Sequence, residues 1–88
     1  MVRRISGKRG KRRRNFLIKR QENKCYWCDC DMTPAKQKGD GNPKLTSATI
    51  DHLLPLEFGG RNFITNTVAA CWSCNNRRNT EYRKDGYP

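Results

Sequence analysis

Two cysteine pairs, Cys25 and Cys28 in CYWC and Cys71 and Cys74 in CWSC, share the spacing C-x2-C. Two intervening residues allow a tight turn to aim both sulfurs at one point, and two such turns complete the tetrahedron that Zn2+ accepts at ~2.3 Å per sulfur. Disulfides are the competing chemistry. They are disfavoured in reducing compartments, and the basic N-terminus is not followed by an apolar stretch of signal-peptide length. A redox role for each pair would explain one motif and leave the other unexplained. Structural zinc is therefore the expectation, with Cys30 a free thiol; ligand exchange between Cys28 and Cys30 is the alternative. The 42 residues between the pairs exceed ordinary zinc-ribbon spacing, so the insert should be a structural unit of its own.

Within that insert lies His52, the only histidine of the chain, directly after Asp51. A lone histidine is ordinarily a satisfied core or surface group. Here it belongs to an ordered set: Asp51-His52-Leu53-Leu54-Pro55, then Gly59-Gly60, then Asn66 fourteen residues after the histidine, then Asn75 nine further on. None of these polar groups has an evident packing role.

In this register the sequence resembles the HNH endonuclease family, in the cysteine-bearing branch whose ββα-metal fold is flanked by a zinc clamp. The resemblance covers residues 25 to 78 and extends to the helix before them. It implies that Asp51 and His52 are the acidic residue and first histidine of the motif, Asn66 the middle asparagine, and Asn75 the third position, filled in the family by His or Asn. Cys71 stands five residues after Asn66, as in members with this clamp. Thr67 replaces the usual aliphatic, and Arg78 stands where Lys is common. Asn62 is a nearby alternative to Asn66, but the spacing favours Asn66.

Phosphodiester hydrolysis needs a water made nucleophilic, neutralisation of the phosphorane charge and stabilisation of the leaving 3′-oxygen. An imidazole can take a proton from water near neutral pH, which suits His52 to the role of general base. A divalent cation, Mg2+ or Mn2+, held by Asp51 and Asn75 suits the other two tasks, since two protein ligands plus waters is normal for Mg2+. Adjacent strand residues point to opposite sides, so Asp51 and His52 must sit where the strand end twists. Asn66 is assigned to orienting His52 through a side-chain hydrogen bond that pins its loop or ring.

The elements that position these groups follow from local signals. RNFLIKRQEN, residues 14 to 23, reads as a short helix with Asn15 as cap and Asn23 as stop. Thr33 to Thr46, with Pro34, Gly39, Gly41 and Pro43, reads as a loop. Ser47 to Asp51 and Asn66 to Ala70 read as strands, Leu53 to Gly60 as a turn, and Ser73 to about Lys84 as a helix capped by Ser73 and stopped by Gly86.

Length and charge set the frame. With 88 residues and 34% hydrophobic content, a single domain with a thin core is expected, which zinc would supplement. The fold class is thus a small α+β zinc-stabilised domain over residues 15 to 88, preceded by a disordered basic arm over residues 1 to 14. Net charge is +11, of which residues 1 to 24 carry +10 and residues 25 to 88 only +1. Such a field concentrates polyanions. Arg9, Lys11, Arg12, Arg13 and Arg14 are read as a phosphate tether, and Arg77 and Arg78 as candidate phosphate contacts on the last helix. The longest apolar run, Val68 to Trp72, is far short of a spanning helix. The chain is read as cytoplasmic, with DNA as partner and RNA as the alternative polymer. Competing functions are a non-catalytic zinc module that binds nucleic acid, and an accessory subunit for a phage-encoded DNA-packaging or mobile-element machine.

Overall fold

A computed structural model describes the backbone of residues 4–33 and 45–85 and the side chains as far as Glu81. Most of the loop expected between Thr33 and Thr46, and the stop expected at Gly86, lie outside the described residues. The elements are helix α1 (Gly7–Arg20), strand β1 (Ala48–His52), two short 3-10 turns (Leu56–Phe58 and Ile64–Asn66), strand β2 (Thr67–Cys71) and helix α2 (Trp72–Asp85). Among the described residues no helix is long and apolar enough to cross a membrane.

The two strands pair antiparallel, with Ala48 opposite Cys71 and His52 opposite Thr67. Both strands lie within one residue of their expected bounds. β2 runs into α2 without a loop, so Cys71 ends the strand and Cys74 stands in the first helical turn. Ser73 is therefore inside the helix rather than its cap. The first amides of α2 are satisfied by backbone instead: Trp72 N–H donates to the Ser47 carbonyl (2.8 Å) and Ser73 N–H to that of Leu45 (2.9 Å).

Helix α1 corrects the expectation of a disordered arm for residues 7 to 14, which form its first half; residues 1 to 3 of that arm lie outside the described residues. Asn15 lies inside the helix, and Ser6 precedes it. Charge repulsion among Lys8, Arg9, Lys11, Arg12, Arg13 and Arg14 is offset by good helix propensity and by tertiary anchors. Leu17 is completely buried, and Arg13 Nη1 donates to the Asn62 carbonyl (2.8 Å) and to Thr67 Oγ1 (2.9 Å). The helix ends at Arg20, and Glu22 and Asn23, both with left-handed backbone (φ 55° and 64°), turn the chain towards Cys25.

Between α1 and the sheet, the Gln21 side chain behaves as a length of backbone. Its amide nitrogen donates to the Ala69 carbonyl (2.9 Å), while its oxygen accepts from Ala69 N–H (2.8 Å). The Tyr26 amide also donates to Ala69 O (3.1 Å). On the other side of the sheet, Thr33 exchanges bonds with the chain entering β1: its N–H donates to Thr46 O (2.9 Å), and its carbonyl accepts from Ala48 N–H (3.0 Å).

The core is as thin as composition requires. It consists of Leu17, Met32, Ala48, Ala69 and Ala70 with Cys25, Cys71 and Cys74, and Ile18 and Cys30 pack against it. The loop after β1 is instead shaped by backbone geometry. Pro55 O accepts from Phe58 N–H and Gly60 N–H (both 3.0 Å), and Gly59 adopts φ 95°. A Cβ at Gly60 would overlap the Leu54 carbonyl. Gly60→Ala should therefore destabilise the fold by about 1–3 kcal/mol, through the displacement that overpacking forces. Urea unfolding of the zinc-loaded protein measures it, and an unchanged midpoint would count against the tight loop.

Candidate metal clamp and active-site cleft

The four expected ligand sulfurs converge. Cys25, Cys28, Cys71 and Cys74 place their Sγ atoms within 4.8 Å of one another, and Cys28 and Cys71 are 3.9 Å apart. A regular tetrahedron with ~2.3 Å bonds has edges of roughly 3.8 Å, so the donor set suits a structural zinc. The turn geometry supports it: Cys25 Sγ accepts from the backbone amides of Trp27 and Cys71, both at 3.4 Å, and Arg77 reaches Cys74 Sγ at 3.8 Å. These donors oppose the negative charge that thiolate ligation accumulates. Cys30 is not in the four-sulfur group. Its backbone amide, foremost, draws the Cys28 thiol down to about 6, whereas burial pushes the Cys74 thiol up. Hydrogen bonding to Cys28 is the chief cause that raises Cys30 to about 12. Cys30 thus stands outside the tetrahedron, packed against the core beside it.

Asp51, His52 and Asn75 line a single cleft of about 170 Å3, together with Arg4, Glu57 and Asn79. The end of β1 supplies the first two and the first turn of α2 the third. Asp51 is 3% exposed. Its Oδ2 accepts from Trp27 Nε1–H (2.8 Å) and is paired with the Arg78 guanidinium, which stacks over the Trp27 ring at 4.1 Å. Trp27 lies between Cys25 and Cys28, so one turn of the clamp directly contacts the carboxylate of the cleft. Asn75 turns its amide nitrogen onto β1, donating to Thr49 Oγ1 (2.9 Å) and Ile50 O (3.2 Å), while its oxygen accepts from Asn79 (3.1 Å). A carboxylate and an amide oxygen lining one cleft are hard donors of the kind Mg2+ and Mn2+ prefer, so the residues fit a divalent cation.

The two candidate asparagines divide their work. Asn66 holds the loop: its Oδ1 accepts from Leu54 N–H (2.9 Å), and its Nδ2 donates to Leu54 O (3.1 Å) and Arg61 O (2.8 Å). The imidazole partner is Asn62, whose Oδ1 lies 2.7 Å from His52 Nε2. Spacing favoured Asn66 over Asn62; in the structure Asn66 fixes the backbone after His52 and Asn62 meets the ring.

The basic residues also separate. Arg4, Lys11 and Arg14 line a groove of about 460 Å3 that continues from the cleft past Asn75 and Asn76, whereas Arg9 and Arg12 lie beside Phe16 and Asn62 on another face of α1. Arg13 and Arg78, both read as phosphate contacts, spend guanidinium donors on protein: Arg13 on Asn62 and Thr67, Arg78 on Asp51 and on Leu53 O (3.4 Å). Trp27, Asn79 and Arg4 line or contact the cleft and were passed over by sequence reasoning, whereas Asn62 was weighed there and set behind Asn66. Trp27 alone carried a local signal, as an indole within a metal-binding turn.

Two antiparallel strands leading into a helix, with a four-cysteine clamp across their junction, define a zinc-clamped ββα domain. The sequence model described as HNH endonuclease matches residues 25–84, and the chain belongs to that family. No curated protein and no solved structure matches it.

Purified protein should contain one zinc per chain, stabilising the fold on the scale of the ~10–16 kcal/mol apparent for zinc in Cys/His peptides. Cys25→Ser should lose the metal and the cooperative unfolding transition, whereas Cys30→Ser should keep both; metal analysis with circular dichroism distinguishes them.

Proposed function

We infer that the chain is a metal-dependent endonuclease that hydrolyses DNA phosphodiester bonds, with His52 as general base and Asp51 and Asn75 as ligands of a divalent cation. The observation that carries this reading is the convergence of these three side chains on one cleft in a member of the HNH endonuclease family. His52 takes a proton from the attacking water, and the hydroxide adds in line to phosphorus as the bond to the 3′-oxygen breaks. The cation, when bound, neutralises phosphate charge and stabilises the leaving oxygen. Trp27 orients the Asp51 carboxylate, and Asn66 holds the loop after His52 so that the ring keeps its place.

Strand binding falls to α1 and the residues just before it. Arg4, Lys11 and Arg14, beside the groove that meets the cleft, suit backbone phosphates, and Arg9 and Arg12 extend the positive surface. These contacts are independent of base sequence. The reduced four-cysteine clamp suits an intracellular setting.

Supercoiled plasmid incubated with zinc-loaded protein and Mg2+ or Mn2+ should be nicked and then linearised. His52→Ala should slow this by about 10²–10⁴-fold, the usual contribution of a general base. Equal products from wild type and variant would leave the alternative of a non-catalytic nucleic-acid module. If ~6–10 phosphates are neutralised, affinity should fall ~10³–10⁵-fold between 50 and 200 mM salt. Replacing Arg4, Lys11 and Arg14 together by Ala should flatten that salt slope by up to about 3, at ~0.9 per phosphate contact; an unchanged slope would move the grip elsewhere.

A further inference from the structure

His52 is held by a group that neither the motif nor the cation-binding residues supply. Its Nε2 lies 2.7 Å from Asn62 Oδ1, an oxygen that can only accept. A neutral imidazole carries one hydrogen, so an acceptor opposite Nε2 places it there and leaves the lone pair on Nδ1. Asn62 is itself anchored from a distant part of the chain. Arg13 Nη1 donates to the Asn62 carbonyl (2.8 Å) and to Thr67 Oγ1 (2.9 Å), and Thr67 is the residue opposite His52 in the sheet. One guanidinium therefore fixes both the residue that touches the ring and the strand position paired with the ring's own backbone.

We propose that Asn62 is a positioning residue that holds His52 in the Nε2–H tautomer, so that Nδ1 is the atom that takes the proton from water. The proposal rests on the reading of His52 as general base. Nε2 keeps its hydrogen throughout: the water O–H bond breaks, the Nδ1–H bond forms, and the resulting imidazolium remains bonded to Asn62 through Nε2. The opposite tautomer would present two lone pairs to each other at Nε2 and Oδ1, and it would offer the water an N–H in place of a base.

Because His52 is the only histidine, its two ring nitrogens can be read without assignment by long-range 1H–15N correlation on the 15N-labelled, zinc-loaded chain. The wild type should show a protonated Nε2 and an unprotonated Nδ1. Asn62→Ala should give signals averaged between tautomers and should lower kcat for plasmid cleavage by about 10- to 100-fold, the usual cost of losing an orienting partner, at unchanged KM. Asn62→Asp, which keeps an acceptor opposite Nε2, should retain the wild-type tautomer. A wild-type spectrum with hydrogen on Nδ1, or an Asn62→Ala spectrum identical to wild type, overturns the proposal. The wild-type spectrum decides even where a variant fails to fold. His52→Ala cleaving as fast as wild type would instead sink the general-base reading while leaving the tautomer measurement intact.

Discussion

Bringing four sulfurs to one point is the constraint on which the rest of this structure depends. The only large side chains that are completely buried are Leu17 and Thr67 among the described residues, and most of the remaining core is alanine and cysteine. At ~25 cal/mol per Å2, the methyl groups of three alanines supply little driving force. A metal bound by thiolates replaces that missing burial with ligand bonds. The clamp also spans the chain in a useful way, joining the turn after α1 to the junction of β2 and α2. Closing it sets the angle between strand and helix, and that angle places Asn75 opposite the end of β1.

The same clamp reaches into the cleft through Trp27. An indole between two ligand cysteines donates to Asp51, and the guanidinium stacked on it neutralises the same carboxylate. A buried carboxylate would otherwise be costly to keep charged. Stability and site geometry are thus one system: the turn that holds the metal also orients the acid.

How much of this was legible in the sequence depended on whether the signal was local. The C-x2-C pairs announced the clamp, because two cysteines in one turn already aim at a common point. The strands were found within one residue, because β-branched and small apolar residues bounded by turn signals fix them. Helix α1 was cut short for a physical reason: a run of like charges argues for disorder, and what overrides it is a pair of hydrogen bonds from Arg13 to acceptors 49 and 54 residues away. Spacing favoured Asn66 over Asn62, yet both sit on the loop that returns to His52, and only the folded turn decides that Asn62 reaches the ring while Asn66 holds the backbone. Arg78 read as a surface cation because nothing adjacent to it reveals the buried Asp51 27 residues earlier.

Gln21 carries a further consequence. A two-stranded sheet has no interior strand, so each of its edges could template pairing with another polypeptide, the route by which small β-containing domains polymerise. At the middle of β2, the Gln21 carboxamide occupies both the donor and the acceptor of Ala69 as a neighbouring strand would, and the Tyr26 amide shares the acceptor. Thr33 blocks the approach to β1 in the same fashion. One side-chain amide from the end of a helix thereby acts as a counterfeit third strand on the β2 edge, a part that larger sheets give to extra strands or charged borders.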